Sequence, residues 1–199
     1  MSLNIGLDLC DDYISGYLHE DKLLLSAPAV VCREKKDDLW YIGEEAYRLA
    51  LSGKGVLTDK LLSLLKKGGT STVMRKAYTA KQLISRLIAA MLWQLTNGAS
   101  ADSIDRLVIA LRSAEKSEMD VIAEAAADAG VRKEAICIIS HSDAFVYYTL
   151  SQSKEFYANM TALFDLSDES LYFYKMKTVR GISKTSVVVE SSELEENFR

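Results

Sequence analysis

The chain has 199 residues, 49% of them apolar, and a formal net charge of −4. That length and apolar content can bury the core of one domain or one and a half, while scattered basic residues offer no stripe for nucleic acid or an anionic membrane. The three cysteines, Cys10, Cys32 and Cys137, share no CxxC spacing; this disfavours a disulfide framework or a zinc site and fits a reducing cytoplasm.

In chain order, Asn4 to Leu9, Tyr13 to Leu18 and Lys22 to Ser26 are short β-branched or apolar runs separated by turn residues, which predicts a three-strand meander. Ala29 to Cys32 and Leu39 to Ile42 add a hairpin-like pair around a charged tip, residues 33–38. Gly43 opens a helix, GEEAYRLALSG, with acids in its first turn and glycine after its last, as the helix dipole and C-cap geometry favour. A leucine-rich helix from Asp59 to Lys67 stops at Gly68-Gly69. GGTST, residues 68–72, imitates a phosphate loop, but no strand precedes it and no Gly-Lys-Ser/Thr follows, so it reads as a flexible connector. The flanking Lys66, Lys67, Arg75 and Lys76 read as a solvated loop.

Thr79 is a helix cap, followed by Leu83, Ile84, Leu87, Ile88, Met91, Leu92 and Leu95 at helical spacing until Asn97-Gly98. Strand 103–111, helix 114–129, strand 135–139 and helix 142–151 follow. Fully apolar strands alternating with helices imply a sheet whose later strands run parallel under helical cover. No apolar run approaches the ~18 residues of a membrane helix, and no basic-then-apolar leader opens the chain.

After residue 155 the pattern returns to strands. TALFDLSDESLYFY, 161–174, repeats the plan of IGLDLCDDYIS, 5–15: an apolar run, Asp-Leu, a small residue, two acids and another apolar run. DLCDD at Asp8 aligns with DLSDE at Asp165, which suggests a second β-β-β unit with Ser186 to Glu190 as its third strand.

This combination resembles the actin-like ATPase superfamily, which includes actin, bacterial actin homologues, sugar kinases and the 70-kilodalton heat-shock chaperones. IGLDLCDDYIS is similar to the first phosphate hairpin, an isoleucine-rich strand followed by Asp-Leu-Gly-Thr-Thr. APAVV, 27–31, resembles the chaperones' Pro-Ser-Val-Val strand, and IGEEAYRLA, 42–50, their Val-Gly-Glu-Ala-Ala-Lys segment. RLVIALRSAEKSEMDVIAEAAADAGV, 106–131, is similar to Val-Ile-Thr-Val-Pro with its Ala-rich helix. IISHSDA, 138–144, falls at Ile-Ile-Asn-Glu-Pro-Thr-Ala, and FDLSDESLYFY at the second phosphate hairpin, Phe-Asp-Leu-Gly-Gly-Gly-Thr. The implied fold is α/β: a ribonuclease-H-like actin-type domain (β-β-β-α-β-α-β-α) over residues 4–155, followed at 156–199 by the first strands of a second similar lobe.

The resemblance makes Asp8 and Asp165, on facing strand ends, the candidates for holding a hydrated Mg²⁺ through water, since that ion takes oxygen ligands and keeps several waters. The candidate nucleotide-contacting residues are Asp8, Cys10, Asp11, Asp12, Asp165, Ser167, Asp168 and Glu169. The turns depart from the family pattern. Cys10 replaces the first glycine, and Ser167, Asp168 and Glu169 replace the glycine triplet that lets backbone N–H groups approach phosphates. An acid beside a phosphate repels by roughly 1 kcal/mol in bulk water and about 4 kcal/mol at an effective dielectric near 20, for unit charges at 4 Å. His141 stands where the chaperones carry glutamate, and Leu111-Arg112-Ser113 offers no carboxylate to position a water.

The expectation is therefore the N-terminal part of a divergent bacterial actin-like protein with degenerate phosphate hairpins. It would have no catalytic residue of its own, would bind Mg²⁺ and ATP at low affinity at most, and would serve as a scaffold or assembly domain. Its expected partners are a C-terminal half or a second copy, with no nucleic acid and no membrane. The plainer alternatives are that Asp8 is a turn former, that the acid clusters are solvated hairpin tips, that His141 is a helix-start residue and that the cysteines are small buried hydrophobes. Two other functions compete: a working ATPase completed by a C-terminal half, and a ribonuclease-H-like nuclease with a two-metal site begun by Asp8 and Asp11.

Overall fold

The computed structural model describes residues 3–19, 22–37, 39–112, 115–153, 155, 160–167, 170–180 and 185–196. By their contacts the residues form two compact units, Met1–Ile139 and Ser140–Arg199.

The first unit is built on the meander that alternation predicts: β1 (Leu3–Leu9), β2 (Tyr13–Leu18) and β3 (Leu23–Pro28). β1 pairs antiparallel with β2 and parallel with β9 (Ile104–Leu111). With β10 (Ile136–Ser140) the five-stranded mixed sheet has the order β10-β9-β1-β2-β3. Along β1 the period of two sends Ile5, Leu7 and Leu9 into the core and leaves Asn4, Gly6 and Asp8 on the opposite face.

The long helix α3 (Ala80–Leu95) supplies the largest share of that core, burying Leu83, Ile84, Leu87, Ile88, Met91, Leu92 and Leu95. Its stripe matches the sequence periodicity position for position. The helix packs along α4 (Lys116–Asp128), whose buried Ile122, Ala125 and Ala126 join the same core. Gly16 lets α3 down onto β2, because a Cβ there would collide with Leu95 and crowd Leu7.

A smaller layer separates β3 from α3 in the chain. β4 (Val31–Glu34) pairs with both β5 (Trp40–Ile42) and β6 (Gly55–Thr58), giving the order β5-β4-β6. Val30, Cys32 and Ala46 form the core between this sheet and α1 (Gly43–Leu51). α2 (Leu61–Lys66) follows, and then the hairpin of β7 (Thr70–Val73) and β8 (Lys76–Thr79). This hairpin corrects the reading of residues 68–72 as a flexible connector. Thr70 to Val73 are in register with Thr79 to Lys76, and Lys76 opens a strand rather than lying in a loop.

In the second unit, β11 (Met160–Ser167), β12 (Ser170–Arg180) and β13 (Thr185–Glu196) form an antiparallel sheet in sequence order. α5 (His141–Ser151) packs on it through Phe145, which clusters with Tyr174 and Met176. Cys10 and Cys32 are buried as expected of small hydrophobes; Cys137 is exposed, against that expectation. Among the described residues no helix is long and apolar enough to cross a membrane.

Candidate functional site

The β1–β2 connection holds four of the residues singled out in the sequence. Asp8 is paired with Ser15 on β2 and Ala110 on β9, one position from the end of its strand. The Tyr13 hydroxyl donates to its Oδ2 at 3.4 Å, and the Cys10 thiol lies 3.8 Å from its Oδ1. The Cys10 N–H donates to the Tyr13 carbonyl at 3.0 Å and closes the hairpin, leaving Asp11 and Asp12 as its tip. Neither tip residue is among the positive-φ positions, so this is not the primed turn that two-residue hairpins favour. Contacts from elsewhere hold it instead.

Those contacts come from α2. Its N-cap, Lys60, lies in the left-handed region at φ 51° and provides no capping side chain. Asp11 does the capping from another element. Its carboxylate accepts the Leu62 N–H at 2.6 Å, the Ser63 N–H at 3.0 Å and the Ser63 hydroxyl at 2.5 Å. A carboxylate at a helix N-terminus satisfies donors that have no partner within the helix and meets the positive end of its dipole. Asp12 pairs with the Lys60 ammonium at 2.5 Å, and its carbonyl accepts the Ala29 N–H at 3.1 Å. The left-handed Lys60, which costs a non-glycine residue about 1–2 kcal/mol, is thus pinned from both sides by consecutive aspartates. Asp11 is 7% exposed, which overturns its reading as part of a solvated tip; Asp12 remains half-exposed.

The β11–β12 hairpin holds Asp165 and Ser167, paired with Tyr172 and Ser170. Asp168 and Glu169 lie outside the described residues. Asp165 Oδ2 is 2.8 Å from Nδ1 of His141, and both side chains are largely buried. With the carboxylate ionised, Nδ1 is the donor in this contact. His141 is the first residue of α5, as its helix-start reading required. The preceding Ser140 caps that helix: its hydroxyl accepts the Asp143 N–H at 3.0 Å, and the Asp143 carboxylate accepts the Ser140 N–H at 3.3 Å.

The donors in the first hairpin suit a hydrated magnesium ion poorly. Mg²⁺ wants oxygen ligands, yet the group beside Asp8 is a thiol, a soft donor suited to other metals. Asp11, the second carboxylate a two-metal nuclease would need there, is committed to α2. Sequence reasoning missed Lys60, Ser63, Tyr13 and the partner of His141. The only local trace of the α2 junction is the absence of a Ser, Thr, Asp or Asn at position 60.

The profile of a family described as "Family of unknown function (DUF5716) C-terminal" matches residues 14–198. No curated protein matches the chain. Among solved structures it is similar to the crystal structure of MreB5 of Spiroplasma citri bound to ADP, with a TM-score of 0.62 and 13% identity, over 98% of this chain and 53% of that one. The chain therefore spans about half the length of that protein. At that identity the likeness shows a shared fold.

Proposed function

The chain belongs to the DUF5716 family of unknown function, and we propose that it is an actin-like domain, over residues 4–155 with the first strands of a second lobe at 156–199, in which the phosphate hairpins have become structural. In this reading Asp8 and Asp165 descend from the carboxylates that hold hydrated magnesium in that superfamily. The domain would serve as a scaffold or assembly unit, partnered by a second copy or by further parts of a longer protein, with little or no catalysis.

The observation that carries the reading is the capture of the first hairpin by α2. A phosphate cradle works by offering unspent backbone N–H groups and positive potential. Here the Cys10 N–H closes the turn, and the Asp11 and Asp12 carboxylates are spent on the Leu62 and Ser63 N–H groups and on Lys60. Asp165 supports it from the second hairpin, because its carboxylate is engaged by His141. The nuclease alternative is disfavoured by the same burial of Asp11.

Isothermal titration of the chain with Mg-ATP and Mg-ADP tests the proposal. No saturable heat up to about 1 mM ligand, a bound weaker than roughly −4 kcal/mol, is the expected result. Micromolar binding accompanied by phosphate release would replace this reading with a working ATPase.

A further inference from the structure

Away from the β1–β2 hairpin, the first unit gathers positive charge around one buried aromatic ring. Tyr78, on β8, is 4% exposed. The Lys76 ammonium lies 5.2 Å from its ring centroid and the Arg86 guanidinium 5.8 Å, with Arg33 at 5.9 Å. Arg86 also stacks 4.4 Å over Trp40, which meets Tyr78 edge-to-face at 5.2 Å. Among the described residues neither Lys76 nor Arg86 has a carboxylate at ion-pair distance. Asp128, which is nearby on α4, is bound to Lys81 at 3.2 Å.

These two cations border a cavity of about 380 Å³ that Tyr78, Gln82, Ser85 and Asp128 also line. Tyr78 and Ser85 are more than nine-tenths buried as residues, and among the described residues neither hydroxyl bonds to another protein group, but neither oxygen is fully enclosed and each keeps contact with solvent. Like charges around one ring repel. A cation–π stack that ties β8 to α3 accounts for the aromatic contacts of Arg86. It does not account for two hydroxyls open to the cavity beside two cations that, among the described residues, have no carboxylate at ion-pair distance.

We propose that this cavity binds a small hydroxylated phosphomonoester, of sugar-phosphate size. A phosphomonoester presents three terminal oxygens and a charge near −2 at neutral pH, which matches a lining that offers a guanidinium fork, an ammonium and two hydroxyls. A carboxylate would be satisfied by Arg86 alone. The volume exceeds that of a lone phosphate and lies in the range of small-molecule sites. Ala89 and Ala129 give the remainder of the ligand an apolar wall, and Asp128 is the acceptor for a ligand hydroxyl.

The test titrates the ¹⁵N-labelled chain with glucose 6-phosphate, inorganic phosphate and glucose, followed by amide shifts and calorimetry. Saturable binding of glucose 6-phosphate is expected, with shifts centred on β8 and the N-terminal half of α3, weaker binding of inorganic phosphate and none of glucose. K76Q and R86Q should each weaken binding roughly tenfold, as loss of a charge-assisted hydrogen bond does. S85A and Y78F should weaken it several-fold, with circular dichroism and melting temperature unchanged, and D8N should leave it intact. Absence of saturable binding would overturn the proposal, as would affinity unaffected by K76Q and S85A, or binding lost in D8N and displaced by Mg-ATP. Equal affinity for inorganic phosphate would overturn its organic part.

Discussion

Asp11 shows how far one side chain can redirect a turn. It carries a formal charge next to a second acid, yet it is buried, because three donors at the start of α2 receive its carboxylate. Replacing it by Ala leaves those donors unmatched in the interior, and the expected cost is about 2 kcal/mol, the upper range for a lost cap. Asp11→Asn keeps an acceptor oxygen and should recover more than half of that. Asp12→Ala removes only a half-exposed ion pair and should stay within about 0.5 kcal/mol. Urea midpoints for the three variants separate these cases, and equal effects at 11 and 12 would show that the junction is electrostatic rather than a cap. Gly16 gives a second test at this scale. Gly16→Ala pushes a methyl into Leu95 and Leu7, and overpacking of this kind costs about 1–3 kcal/mol. Adding Leu95→Ala should make the pair less destabilising than the sum of the two changes, since the new methyl then has room.

Among the elements, α3 is the one whose start, stripe and neighbours all agree. Thr79 and Gln82 form a reciprocal capping box, with the Gln82 N–H donating to the Thr79 hydroxyl at 3.3 Å and the Thr79 N–H to the Gln82 carboxamide at 3.0 Å. Thr79→Ala should lower stability by about 1 kcal/mol. Lys81, two residues into the helix, reaches across to Glu124 and Asp128 on α4, each at 3.2 Å. Hydrogen bonds to these two carboxylates raise its pKa above the ordinary lysine value. The stabilisation it gives is therefore full below that ordinary value and is lost as pH rises through the raised one. The melting-temperature gap between the native chain and Lys81→Met should be open at pH 8 and should close in strongly alkaline buffer. α3 and the meander were legible in the sequence because their signals are local: seven apolar positions at helical spacing, and three alternating runs between turn residues. β6 was not, because it has four residues and pairs with β4 from a distant part of the chain; the β7–β8 hairpin pairs locally, but its strands, Thr-Ser-Thr-Val and Lys-Ala-Tyr-Thr, hold too few apolar residues to set a period. Asp8 could be picked out as an acid at a strand end. The role of Asp11 could not, because the N–H groups it caps lie 51 and 52 positions away. The Asp165–His141 contact spans 24 positions and is hidden for the same reason, although each residue stands out by itself in the sequence.

For the whole molecule, the proposed scaffold role turns on surface that the second unit leaves uncovered. α5 packs on one face of β11–β12–β13 through Phe145, Tyr174 and Met176, and the same face carries Asp165 toward His141. The period of two then sends Phe164 and its cross-strand partner Phe173, whose rings lie 5.1 Å apart, to the other face. Phe164 is 63% exposed, with Leu166 and Met160 exposed on the same side of β11. Contiguous aromatic and aliphatic side chains on a sheet face are unfavourable in water and mark a contact surface. Lys175 and Lys177 lie on the same face of β12 and keep it from being uniformly apolar. If a second copy covers this face, sedimentation equilibrium should give a mass that rises with concentration through the micromolar range, and Phe164→Lys should return the chain to monomer mass. Because Phe164 is mostly exposed, that change should leave the melting temperature of dilute protein nearly unaltered. A mass constant at one chain across the range, in native protein and variant alike, would remove self-assembly from the proposed function and leave a different chain segment or protein as the scaffold's partner.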